Sequence, residues 1–143
     1  MFNSKLAIKN DAWLRILLVN SIVLLILATI LLYQYPDTIY YVYVYGAGLV
    51  ILIALPLRYL YLKNFGVNTE MTVGKIIKST YYRGSRILKY EYKVNGQEYK
   101  KSIWTNYTSA TKNLERDALT DIMFKSNNPK CSLIADLYFD KIL

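Results

Sequence analysis

The side chains of this sequence that could do acid–base chemistry are few and scattered. In the second half of the chain they are Glu91, Glu98, Glu115, Asp117, Asp121, Asp136 and Asp140. Two carboxylates held a few ångström apart can hydrolyse a glycosidic bond, but no spacing here draws two of these together. The chain contains no histidine. That excludes histidine acid–base catalysis, Ser–His and Cys–His nucleophiles and His-ligated zinc. Cys131 follows Lys130, whose charge could make the thiol reactive; beside a turn it reads first as an inert thiol. A single cysteine forms no internal disulfide, so the fold does not need an oxidising compartment. There is no phosphate-binding glycine loop, dinucleotide fingerprint or G-x-S-x-G elbow. The expectation is no catalytic residue, no metal ligand, no cofactor and no enzyme activity.

What the sequence does carry is positive charge, a formal +8 over 143 residues. Basic and aromatic residues interleave at Tyr81, Tyr82, Arg83, Arg86, Lys89, Tyr90, Lys93, Tyr99, Lys100, Lys101 and Trp104. Such a pattern on a sheet can bind single-stranded nucleic acid. Alternation assigns most of the tyrosines to an inner face and most of the lysines to an outer one, so the pattern reads as a core with a solvated face. Nucleic acid is not an expected partner. A second basic set, Lys5, Lys9, Arg15, Arg58 and Lys63, flanks two apolar runs. These five are expected to contact anionic lipid headgroups.

The apolar runs are the dominant elements. Ile16 to Leu32 contains no charge, and neither does Thr38 to Leu57. With flanking aromatics they predict helices over about 13–33 and 39–60. About 20 residues at 1.5 Å each span roughly 30 Å, the thickness of the hydrocarbon core. Gln34 to Thr38 (QYPDT) joins them, too short for anything but an antiparallel hairpin, with Pro36 and Asp37 as turn formers. Lys and Arg flank the outer ends of the runs and are missing from the connecting loop, so both termini are expected in the cytoplasm. Tyr33, Tyr35, Tyr40 and Tyr41 would ring one membrane interface, and Trp13, Tyr59 and Tyr61 the other. The deeper hydroxyls of Tyr43 and Tyr45 need partners in lipid, with Asn20, Ser21 and Thr29 as candidates. Gly46 and Gly48 would allow another helix close, including one from a second copy of the chain.

Residues 64–143 read as a small, mostly β cytoplasmic domain after a transmembrane hairpin of residues 1–63. The fold class is therefore a membrane protein of α+β type, with about five strands in a meander or partly open barrel. Ile87 to Val94 alternates with the period of a half-buried strand. Asn95 and Gly96 form the preferred two-residue type I′ turn. That turn sets Val94 opposite Gln97, Lys93 opposite Glu98, Tyr92 opposite Tyr99 and Glu91 opposite Lys100. Upstream, Thr69 to Tyr82 predicts a strand with a bulge at Gly74, followed by a turn at Arg83–Gly84–Ser85. Downstream, Ser109 to Ala118 predicts a short helix or irregular crossover. Strands are then expected over Leu119–Lys125 and Cys131–Phe139, separated by a turn at Ser126–Pro129. Asn106–Tyr107–Thr108 is a formal glycosylation sequon, silent in the cytoplasm.

Over Thr72 to Leu137 the chain resembles the bacterial membrane proteins of domain-of-unknown-function family three-five-nine-two. The likeness lies in the opening TVGKII strand, in the hairpin residues Tyr90, Tyr92, Val94, Asn95, Gly96 and Tyr99, and in Asn128, Pro129 and Ser132. The chain departs from the family in having no glycine between Asp117 and Asp121. The resemblance implies a small β domain beside membrane helices and no activity. The expectation is a non-enzymatic protein of the bacterial inner membrane whose β domain is an interaction module, as in an immunity or accessory factor for a larger protein. The alternative is a membrane-anchored sensor or regulator that reads anionic lipid or a phosphorylated ligand. Expected partners are the lipid bilayer, a protein of unidentified kind and a second copy through the helices.

Overall fold

The computed structural model describes residues 2–140. They form α1 (Ser4–Asn10), α2 (Ala12–Gln34), α3 (Tyr40–Phe65), β1 (Thr69–Tyr82), β2 (Ser85–Val94), β3 (Gln97–Asn106), α4 (Ser109–Lys112), β4 (Leu119–Lys125) and β5 (Asn128–Ile134). The chain divides into two compact units, Trp13–Tyr61 and a second made of Met1–Ala12 together with Leu62–Leu143.

The first unit is the helical pair. Both α2 and α3 are long and apolar enough to cross a membrane, and nearly all of their apolar side chains lie on the surface. Neither has a polar face to turn toward water. The short connection includes a hydrogen bond from the Thr38 hydroxyl to the Tyr35 carbonyl, 2.9 Å. Between the helices, the Thr29 hydroxyl meets the Tyr45 hydroxyl at 3.0 Å, so one of the expected polar partners is used. Ser21 instead bonds back to the Leu18 carbonyl of its own helix. Gly48 permits close packing: a Cβ there would lie 3.3 Å from Leu25 Cδ2. Gly46 has nothing within 4 Å of that position.

The second unit is a five-stranded antiparallel sheet in the order β3-β2-β1-β4-β5. Its β2–β3 register is the expected one, with Tyr92 opposite Tyr99 and Lys93 opposite Glu98. Asn95 and Gly96 take φ of 50° and 81°, the left-handed pair that a type I′ turn needs. Arg83 and Gly84, at 45° and 78°, make a second turn of this kind between β1 and β2. The bulge of β1 falls between Ile76 and Lys78, not at Gly74. Gly74 sits in the middle of the sheet, paired with both Tyr92 and Thr120. A Cβ on it would fall 2.5 Å from Ile122 Cγ1 and 2.9 Å from the Glu91 carbonyl oxygen. The glycine therefore serves close packing, and the extra residue is Ile77, which turns Lys78 outward opposite Lys89. The last strand starts three residues earlier than expected and stops at Ile134, where a 3-10 turn takes over at Ala135–Leu137. That turn, with Tyr138 and Phe139, packs into the core instead of extending the sheet.

The sheet curls until its edges, β3 and β5, nearly meet. Side chains bridge the remaining gap. Lys101 Nζ donates to the Ser132 carbonyl at 2.6 Å, and the Tyr90 and Ser132 hydroxyls lie 3.0 Å apart. The Tyr92 hydroxyl donates to the Pro129 carbonyl. Inside are Ile76, Leu88, Tyr90, Ile122, Ile134 and Leu137, all fully buried.

The N-terminal residues, grouped with the hairpin in the sequence reading, belong to this second unit. Phe2 bridges to Phe139, with their rings edge to face at 5.8 Å. The Asn3 amide donates to the Tyr138 carbonyl at 2.9 Å. The Asn3 side chain caps α1 by accepting from the Leu6 amide. At the other end of α1, Asp11 forms a β-bridge with Thr105 on the free edge of β3.

Candidate functional site

The most organised group of polar side chains lies where α1 meets the sheet. Asn10, Asp11, Thr105 and Thr111 are wholly buried, and Asn106 nearly so. The large majority of buried polar groups are paired, and here the pairs form one connected network that leaves Asn106 Oδ1 without a hydrogen-bond partner. Asn10 Nδ2 donates to the Leu137 carbonyl at 3.0 Å, and its Oδ1 accepts from the Thr108 hydroxyl at 2.7 Å. Asn106 Nδ2 donates to the Lys9 carbonyl at 2.8 Å. Tyr138 donates its hydroxyl proton to Asp11 Oδ2 at 3.3 Å. Thr108 and Thr111 form a reciprocal cap at the start of α4. The Thr111 hydroxyl also donates to the Asn106 carbonyl at 2.9 Å.

Arg86 extends this network. It is 5% exposed, although in the sequence it stands only among the basic residues interleaved with aromatics. Its guanidinium donates to the Thr111 and Lys112 carbonyls, the last turn of α4, and to the Ser79 hydroxyl. Its remaining nitrogen is paired with Glu115 at 2.5 Å. The guanidinium also sits 5.9 Å from the centre of the Tyr107 ring. Above it opens a cleft of about 450 Å³, bounded by Ser79, Tyr81, Arg86, Tyr107 and Glu115. Each of the three guanidinium nitrogens of Arg86 has an acceptor, so the residue ties α4 to the sheet.

The expected headgroup-contact residues fall in both units. Lys5 and Lys9 are exposed on α1, while Ala7 and Asn10 of the same helix are buried against the sheet. Lys63 is exposed in the last turn of α3. Arg15 is exposed in the first turn of α2, and Arg58 of α3 is half-buried with its guanidinium 5.5 Å from the Tyr61 ring centre. The hairpin-turn residues Asn95 and Gly96 are exposed at the end of β2.

Of the seven carboxylates, Glu91, Glu98, Glu115 and Asp117 are taken up in ion pairs, whereas Asp121, Asp136 and Asp140 line a separate cleft of about 270 Å³. Lys93 meets Glu98 at 3.0 Å, Lys100 meets Glu91 at 3.7 Å and Lys75 meets Asp117 at 2.7 Å. The hydrogen-bonded Lys75 ammonium holds the Asp117 carboxyl below the usual carboxylate range, and Asp117 raises Lys75 in return. Lys93 lowers Glu98 in the same way. Among the described residues no cluster of three metal-binding side chains occurs. The Tyr90–Ser132–Lys101 group has residue types that could activate a serine, but Ser132 is wholly buried. Lys101 bonds the serine's carbonyl. Desolvation pushes the neighbouring Tyr92 phenol above its ordinary value, as expected of a core tyrosine.

Sequence reasoning missed the network because its members are single asparagines and threonines far apart in the chain. The legible signals were Asn10–Asp11 directly ahead of the apolar run and the Thr108-x-x-Thr111 cap. In comparisons with protein-family models, with curated proteins and with solved structures, nothing matches this chain.

Proposed function

We propose that this is a two-pass protein of the bacterial inner membrane, with both termini and the β domain in the cytoplasm. Its β domain acts as an interaction module for a larger protein, in the manner of an immunity or accessory factor, and not as an enzyme. One observation carries the two-pass part. The chain leaves the β-domain unit at Ala12 and rejoins it at Leu62. A segment that departs from one folded unit and returns to it ends on the side where it began. Two apolar helices of spanning length on such a segment fit a hairpin. The cytoplasmic side follows from Lys5, Lys9, Arg15, Arg58 and Lys63 at the outer ends, against a connection with no Lys or Arg.

The non-enzymatic part is supported by the state of the candidate catalytic groups. Four of the seven candidate carboxylates, Glu91, Glu98, Glu115 and Asp117, are matched by basic partners, and Ser132, whose carbonyl Lys101 bonds, is sealed in the core. The test is a pair of reporters, alkaline phosphatase and a fluorescent protein that matures only in the cytoplasm, fused after Leu143 or inserted at Asp37. Fluorescence at Leu143 with phosphatase activity at Asp37 is expected. Phosphatase activity at Leu143 overturns the orientation, and equal fluorescence at both sites overturns the crossing itself. The interaction role is tested by purification in mild detergent, where a stoichiometric protein partner is expected.

A further inference from the structure

The charges of the sheet are distributed unevenly along β2. At the Asn95–Gly96 end, Lys93, Lys100 and the nearby Lys75 each have a carboxylate within ion-pair distance. At the opposite end the arrangement is reversed. Lys78 and Lys89 stand directly opposite each other on neighbouring strands, and Arg83 occupies the turn. Among the described residues none of these three has an acidic partner. Like charges facing each other across strands are destabilising, so this end of the sheet holds an unbalanced cationic face.

The same end carries exposed aromatic and apolar side chains. Tyr81 is 63% exposed, Tyr82 51% and Ile87 40%. The Ile77 bulge sends Tyr82 to the outer face, where the alternation of β2 also places Ile87, between buried Arg86 and Leu88. These groups are held rigidly. The tight turn fixes the backbone, Arg83 lies 5.4 Å over the Tyr82 ring, and Tyr81 meets Tyr107 edge to face at 5.4 Å. Residues with an apolar body and a polar tip, mixed with unpaired cations, suit the headgroup level of a membrane.

The position of this end supports the same occupant. Asp11, Thr105 and Arg86 are lateral neighbours across the sheet. At about 4.8 Å per strand spacing, the β1–β2 turn therefore lies on the order of 10 Å from Asp11. Asp11 is the residue at which the chain passes into α2.

We infer that the β1–β2 hairpin end, through Lys78, Arg83, Lys89 and Tyr82, rests on the anionic surface of the bilayer that α2 and α3 cross. This rests on the two-pass reading above. The phosphates of the lipid supply the counter-charges that the protein lacks here, and the tyrosine ring inserts at headgroup depth. Single-stranded nucleic acid, the other chemistry that basic and aromatic residues suit, is less favoured because it does not explain the placement beside Asp11.

The test uses the full chain in nanodiscs, with Cys131→Ser as background and a nitroxide placed singly at Thr80→Cys, Gln97→Cys or Ile26→Cys. Collision with lipid-soluble oxygen is compared with collision with a water-soluble nickel chelate. In discs containing phosphatidylglycerol, the label at 80 is expected to report headgroup depth and the label at 97 bulk water. Each cation near the surface strengthens such a contact roughly fivefold. Replacing Lys78 and Lys89 with Gln and Arg83 with Asn should bring the label at 80 to the aqueous level of 97. Discs of phosphatidylcholine alone should do the same. A label at 80 as aqueous as 97 in anionic discs overturns the inference, as does a depth unchanged by the triple replacement. Loss of nickel access at 80 only on adding oligonucleotide also overturns it, in favour of nucleic acid. The label at 26 keeps the two readings apart: if it reads as aqueous, the helices do not span and the two-pass reading itself fails.

Discussion

Replacing Asn10 with Ala should release α1 from the β domain, and the size of the effect can be worked from the network. Asn10 is fully buried and makes two hydrogen bonds, to the Leu137 carbonyl at 3.0 Å and from the Thr108 hydroxyl at 2.7 Å. Leu137 is also fully buried, so its carbonyl loses a partner that water cannot replace, at a cost of about 1–3 kcal/mol. Thr108 is half-buried and keeps its contact with Thr111, so its loss is nearer 1 kcal/mol. The docked state should therefore weaken by about 2–4 kcal/mol, which is roughly 30- to 1,000-fold in the opening equilibrium. Hydrogen–deuterium exchange of the full chain in nanodiscs reads this directly. The reporting amides are those of Asn3, bonded to Tyr138, and of Ala7 and Asp11, bonded within α1. Their exchange should speed up by that factor, while α2 is unaffected. Lys5→Gln, on the exposed face of the same helix, should change nothing. If residues 2–12 exchange at the same rate in Asn10→Ala and in the unaltered protein, α1 is not held by this network and the two-pass argument loses its support.

Three further outcomes follow from the sheet. Gly74→Ala should destabilise the β domain by about 1–3 kcal/mol, because the new methyl meets both Ile122 and the Glu91 backbone; the measurement is faster exchange throughout β1, β2 and β4. Gly96→Val should cost about 1–2 kcal/mol, since the left-handed backbone resists a β-branched residue. Because open space surrounds that position, Gly96→Asn should cost clearly less in the same assay. The Asp117–Lys75 pair should contribute only within a pH window. Its carboxylate part is present above the ordinary value of 3.8 and is lost as pH falls through the lowered one. Its lysine part is full below 10.5 and is lost as pH rises through the raised value. In an NMR titration Asp117 should have its midpoint below 3.8, and Lys75→Gln should return it toward that value.

The parts of this fold that the sequence expressed locally could be read from it. Asn95–Gly96 dictates a turn geometry, the turn dictates register, and the register places Lys93 on Glu98 and Tyr92 on Tyr99. The apolar runs gave the helices because length and lack of charge are additive properties of a segment. The bulge was misplaced because glycine in a strand signals either an extra residue or a tight contact. Only the position of Ile122, nearly fifty residues later, decides which. The last strand was drawn too long because Ala135 to Phe139 is as apolar as a strand; its break depends on Asn3 and Asn10 taking the carbonyls of Tyr138 and Leu137. Arg86 carries no local mark of burial, since the α4 carbonyls that hold it come from residues 25 and 26 positions away.

The docking of α1 also has a consequence for the order of events during synthesis. Asn10 and the Leu137 carbonyl that it binds are 127 residues apart. At 5–20 residues per second, the ribosome makes one end of this contact roughly 6–25 s before the other. Throughout that interval Asn10 and Asp11 have no docking site, and both apolar helices are made before the site exists. The β domain therefore cannot close as a unit until Leu137 has been made, and residues 2–12 must remain within reach until then. A bulky tag on the amino terminus would compete with this late closure, whereas the same tag after Leu143 would not lie on a segment that must wait.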